Sequence, residues 1–104
     1  MCIRDRVDEG DLIAEALGDK KVIILQNHGI LTTGPSVDIA LWFYMSMERC
    51  CQAQLMADAA GKNQLIPHET AVKTRSFIAN DVAAWASFQP AFDMICKKEP
   101  DLFD

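Results

Sequence analysis

Three observations predict an α/β fold. Val22-Ile23-Ile24-Leu25 is a continuously apolar, β-branched run, and Ile30-Leu31-Thr32-Thr33 follows it after a four-residue interruption. Apolar residues at helical spacing occupy the chain before and after this pair. A length of 104 residues suits one domain or part of one. With 50% of residues hydrophobic and 24% charged, the composition is that of a globular protein with a packed core.

The first helix is expected from Asp8 to Leu17. Leu12, Ile13, Ala16 and Leu17 draw one apolar stripe, acidic residues suit the positive end of a helix, and Gly18 suits its stop. Val22 to Leu25 reads as a strand buried on both faces, because it lacks alternating polar residues. Gln26-Asn27-His28-Gly29 interrupts it, and the second strand ends at Gly34-Pro35.

Ser36 offers an N-cap and Asp38 a first-turn charge for a helix running to Ala60, about seven turns, with Gly61 as a left-handed cap. Ala40, Tyr44, Met47, Cys51 and Leu55 form one stripe of this helix. Leu41, Trp42, Phe43 and Met45 spread apolar surface around the rest of its first half. Such a helix is buried between layers or against another subunit. After a connector, Lys62 to Pro67, a helical stretch is expected from His68 to about Ala79, with Asn80-Asp81 capping the next. Val82, Trp85, Phe88, Phe92 and Ile95 give that last helix its apolar spacing, Pro90 predicts a kink within it, and it ends before Pro100.

Charge excludes some functions. The net charge is −5, and no basic cluster exceeds Lys20-Lys21 or Lys97-Lys98, so nucleic acid is not an expected partner. No apolar run approaches the ~20 residues that span a bilayer. Charged residues stand near the start where a signal peptide would be apolar, so a cytoplasmic location is expected. Cys2, Cys50, Cys51 and Cys96 show no zinc-type spacing and read as small reduced thiols. Cys50 and Cys51, about 100° apart on a helix, are poorly placed to pair with each other. Residues 1–6, Met-Cys-Ile-Arg-Asp-Arg, read as a translated sequencing-adapter scar, and residues 7–104 as part of a domain truncated at its start.

Two places could carry chemistry. In Asn27-His28-Gly29, a histidine at a strand end beside a glycine that permits close backbone approach could ligate a metal, although a plain turn also explains it. His68-Glu69 is explained by a solvated helix start. Asp38 and Glu48 read as a helix-start charge and as a polar-face or buried structural carboxylate. Thr32, Thr33 and Gly34 are accounted for by a strand-to-helix turn, and no set of catalytic residues can be assembled.

The run from Ala16 through Asn27-His28-Gly29 to Gly34 closely resembles the class II aldolase/adducin family. The likeness continues through Asp38-Ile39-Ala40, Trp42, and Met47 to Leu55, and on to Ala57-Asp58-Ala59-Ala60-Gly61, about half the chain. Trp85 to Pro90 resembles members not assigned to a particular sugar phosphate. The resemblance implies a three-layer α/β/α domain with a largely antiparallel sheet. It also implies a divalent cation, usually zinc, held by three histidines: two from an upstream His-x-His and a third from Asn-His-Gly, which His28 matches. In that family the cation acts as a Lewis acid on a hydroxy-carbonyl substrate and stabilises an enediolate as a carbon–carbon bond breaks.

The present chain has two histidines, His28 and His68, and no His-x-His. The family's C-terminal catalytic tyrosines have no match, since Tyr44 lies in the long helix. The expectation is therefore a piece of a zinc-dependent lyase or isomerase, inactive alone, that acts on a small molecule and forms a homo-oligomer, the tetramer common in the family. The alternatives are a non-enzymatic, adducin-like interaction module and other chemistry on the same scaffold, such as decarboxylation or dehydration.

Overall fold

The computed structural model describes residues 7–104. The reading of residues 1–6 as an adapter scar, and that of Cys2, lie outside the described residues. The order of elements is α1 (Val7–Leu17), β1 (Val22–Leu25), β2 (Gly29–Thr32), α2 (Val37–Ala60), α3 (His68–Ile78), α4 (Asp81–Lys98) and a short 3₁₀ helix (Pro100–Phe103). Strands and helices thus fall where residue spacing put them. The final 3₁₀ turn is the exception: the sequence marks Pro100 only as a stop, yet it pre-sets the first residue of a new turn.

β1 and β2 form an antiparallel hairpin in which Val22 pairs with Thr32, Ile23 with Leu31, Ile24 with Ile30 and Leu25 with Gly29. The second strand begins one residue earlier than expected, because Gly29 contributes a backbone pair with no side chain to signal it. Alternation places Val22, Ile24, Ile30 and Thr32 on one face. That face meets α2: the Thr32 hydroxyl donates to the Ala40 carbonyl at 2.9 Å, and Val22 packs on the core. The strand is not buried on both faces as predicted, since Ile24 is 59% exposed. Its far end opens onto a groove that Ile24 lines together with Met47, Cys50, Cys51, Gln54 and Leu55 of α2.

The core is small. Ile39 and Phe43 of α2 are buried with Ala84 of α4, flanked by Val22, Trp42 and Ala79, and Phe88 is buried one turn beyond Ala84. This differs from the expected α2 stripe: Tyr44 and Leu55 are exposed, while Ile39 and Phe43 turn inward. A helix apolar nearly all round does not choose its buried side by periodicity; the elements against it choose. Likewise Val82 and Trp85 of the predicted α4 stripe remain exposed.

Turn chemistry fixes how the layers meet. Gly34 lies so close to the start of α2 that a Cβ would stand 3.0 Å from the Ile39 Cγ2 and 3.1 Å from the Ala40 nitrogen, and only glycine fits there without a shift. Ser36 occupies the N-cap position but makes no side-chain cap bond; its carbonyl accepts from Ala40 at 3.1 Å. Gly61 ends α2 with φ 139° and ψ −148°, outside the left-handed cap the sequence suggested. Asn80 caps α4 as expected, accepting from the Ala83 N–H at 2.9 Å. α4 remains helical through Pro90.

Lys21 joins the hairpin to the α3–α4 junction. Its ammonium donates to Asp81 at 2.6 Å and to the Ala79 carbonyl at 3.2 Å, and lies 4.7 Å from the centroid of the Phe43 ring. Even so, the chain stays open. Its radius of gyration is 16.6 Å, against about 13 Å for a compact domain of this length. Among the described residues no helix is long and apolar enough to cross a membrane.

Candidate metal-ligating hairpin

The loop between β1 and β2 is three residues long, Gln26 to His28. The His28 N–H donates to the Leu25 carbonyl at 3.1 Å, which closes a four-residue turn. Asn27, third in that turn, has φ 61°. A turn of this kind needs a left-handed residue there, and Asn is one of the few non-glycine residues that tolerate it. Gly29 follows with φ 144°. A Cβ at Gly29 would meet nothing within 4 Å, so this glycine serves the backbone angle and not a close approach, which corrects the sequence expectation.

His28 therefore stands exposed at the tip of the hairpin, with its backbone held by the Leu25–His28 turn. Neutral imidazole is a good donor to a divalent cation. The surrounding donor set is incomplete: among the described residues no three His, Cys, Asp or Glu side chains come together to hold a metal. His68 lies exposed at the start of α3, where a solvated helix start accounts for it. One imidazole does not make a metal centre, because a catalytic zinc takes three protein ligands and an open position.

The other positions singled out in the sequence have structural explanations. The Thr32 hydroxyl is engaged with the Ala40 carbonyl, in the strand-to-helix turn expected there. Glu48 is exposed on the polar face of α2, so the reading of a buried carboxylate falls away. Asp38 at the start of α2 is held below the ordinary carboxylate value. The adjacent Ser36 hydroxyl is the largest influence; desolvation opposes it, and the Asp38 N–H, Gln89 and Trp85 add to the lowering. The Ser36 oxygen is buried and makes no hydrogen bond of good geometry, so it acts on Asp38 as a nearby dipole. Gln89 donates to Asp38 at 3.2 Å and ties α4 to α2. Sequence reasoning missed both Gln89 and Lys21, because each contact spans more than fifty residues and leaves no periodic trace.

Residues 2–55 match the family model described as the class II aldolase and adducin N-terminal domain, a span that takes in most of the segment set aside as an adapter. The chain is similar to the decarboxylase NovR of Streptomyces niveus, 40% identical over 95 residues, which are 91% of this chain and 35% of that protein. It is also similar to a 4-hydroxy-3-prenylphenylpyruvate oxygenase/4-hydroxy-3-prenylbenzoate synthase of Streptomyces roseochromogenus subsp. oscitans, 39% identical over 95 residues, 91% of this chain and 34% of that one. The solved L-fuculose 1-phosphate aldolase from Glaciozyma antarctica PI12 superposes with a TM-score of 0.86 at 38% identity, over 92% of this chain and 39% of that one. The chain thus spans little more than a third of the length of these relatives.

Proposed function

The chain belongs to the class II aldolase and adducin family, and from that premise we propose that it is the metal-ligating segment of a lyase that breaks a carbon–carbon bond beside a carbonyl in a small hydroxy-carbonyl molecule. The observation that carries the proposal is His28, an exposed imidazole on a hairpin whose geometry is set by the left-handed Asn27 and the Leu25–His28 turn. In this reading His28 supplies one donor, and the rest of the protein supplies the remaining donors. A divalent cation, zinc above others for an imidazole set, would provide Lewis-acid stabilisation of the negative charge left by bond cleavage. The segment alone, with one imidazole, is then inactive.

Both aldol cleavage and decarboxylation leave an electron pair on a carbon next to an acceptor group. The similarity to a decarboxylase across 91% of the chain favours, as a second reading, carbon dioxide as the departing fragment on the same scaffold.

The test is His28→Ala in the full-length protein. The expected outcome is metal affinity reduced by at least about tenfold, as loss of a ligand or its support causes, with activity lost and the fold retained by circular dichroism. Unchanged metal stoichiometry would remove His28 from the donor set. A full-length protein with neither bound metal nor lyase activity would favour the adducin-like interaction module instead.

A further inference from the structure

We propose that Met47, Cys50 and Cys51 form a soft-metal site for copper(I), separate from His28, in the groove between α2 and the end of β1. Cys50 and Cys51 stand at i+3 and i+4 from Met47 on one α-helix, the spacings that place each thiol beside the thioether, one on either side of it. All three line the same cavity of about 500 Å³, together with Ile24, Gln54 and Leu55. Cys50 and Cys51 are free thiols, the first exposed and the second half-buried like Met47. The geometry that disfavours a bond between adjacent helical cysteines suits a metal placed between them, because sulfur donors on either side of an ion must stand apart.

The donor chemistry selects the ion. Among the described residues the groove lining includes no imidazole and no carboxylate, and its other members are two aliphatic side chains and one amide. The Gln54 amide donates to Asp58 at 2.9 Å and is engaged away from the sulfurs. Two thiolates and a thioether are soft ligands, which favour copper(I) over magnesium, calcium or manganese. Structural zinc takes four strong donors, and this set offers two thiolates with one weak thioether. Binding copper(I) converts two thiols to thiolates and releases two protons to solvent, with no change of oxidation state.

The test titrates the intact protein anaerobically with copper(I) against a chromophoric copper(I) chelator. We expect one equivalent to be taken from the chelator, with sulfur-only coordination by X-ray absorption. The Cys50→Ser/Cys51→Ser double variant loses this equivalent, and Met47→Leu weakens it by about tenfold, the low end for loss of a supporting interaction at a metal site. His28→Ala leaves it in place, which separates this site from the proposed lyase centre. A second readout does not depend on variant folding: copper(I) should slow alkylation of Cys50 and Cys51 while Cys96, outside the groove lining, reacts at its usual rate. Copper retained by the double variant, or thiols alkylated equally fast with and without copper(I), would overturn the proposal.

Discussion

In its first half α2 buries Ile39 and Phe43 against Ala84 of α4 and Val22 of β1, whereas from Gln52 to Ala60 every residue is exposed. Both halves are rich in apolar residues. The difference lies in what stands opposite. The first half meets β2 through Thr32, the turn after it through Gly34, and α4 through Gln89, while the second half leaves Leu55 70% and Met56 67% exposed, with Leu55 and Ile24 lining an open groove. Apolar content makes a helix face available for burial, and only a partner element buries it. The whole chain repeats this pattern. Its accessible surface is 8736 Å², against about 5,800 Å² for a folded monomer of this mass.

The largest expected effect tests the contrast directly. Phe43→Ala removes a buried ring that also carries the Lys21 ammonium, and large-to-small changes of this kind cost about 3 kcal/mol or more. Leu55→Ala, at an exposed position of the same helix, should cost less than about 0.5 kcal/mol. Urea unfolding of both variants in the full-length protein compares them. A Leu55→Ala loss as large as that of Phe43→Ala would show that the second half of α2 is covered in solution, and the contrast between the halves would fall.

A smaller effect belongs to the hairpin. Asn27 holds φ 61°, and a Cβ-bearing residue without a short polar side chain pays about 1–2 kcal/mol in that region. Asn27→Ala should therefore lower stability by about that amount, and Asn27→Gly should restore most of it. If Ala and Gly variants unfold at the same urea concentration, the left-handed turn is not what fixes the backbone beneath His28.

Much of this arrangement was readable in the sequence. β-branched residues at 22–25 and the cap residues around 36, 61 and 80 locate elements through local chemistry, and local chemistry is what a sequence displays. The Asn-His-Gly turn was legible for the same reason, although the sequence did not show that Asn27 is its left-handed residue. What could not be read depends on partners far along the chain. The sequence leaves the buried side of α2 open because Leu41 to Met45 are apolar in every direction, so Ala84 and Val22 decide it. Lys21 and Gln89 look like ordinary surface residues until their partners arrive. The donors needed to complete a cation site around His28 are absent among the described residues, so a motif could mark one ligand and geometry could not supply the others.

The smallest effect concerns Asp38, at the anchored end of α2. Its carboxyl sits below the ordinary value of 3.8, chiefly through the Ser36 hydroxyl, with its own N–H and Gln89 assisting. A carboxyl whose folded-state pKa is depressed stabilises the fold above its unfolded pKa, and that contribution is lost as pH falls through the folded value. Asp38→Asn should therefore unfold at slightly lower temperature than the parent at neutral pH, with the two curves converging in acid below 3.8. The shift will be small because solvent screens the charge. Ser36→Ala should raise the Asp38 pKa toward its ordinary value, followed by carboxyl-carbon chemical shift against pH. If that titration stays where it was, Ser36 is not the group that holds Asp38 down, and the buried hydroxyl serves only to pack the junction between β2 and α2.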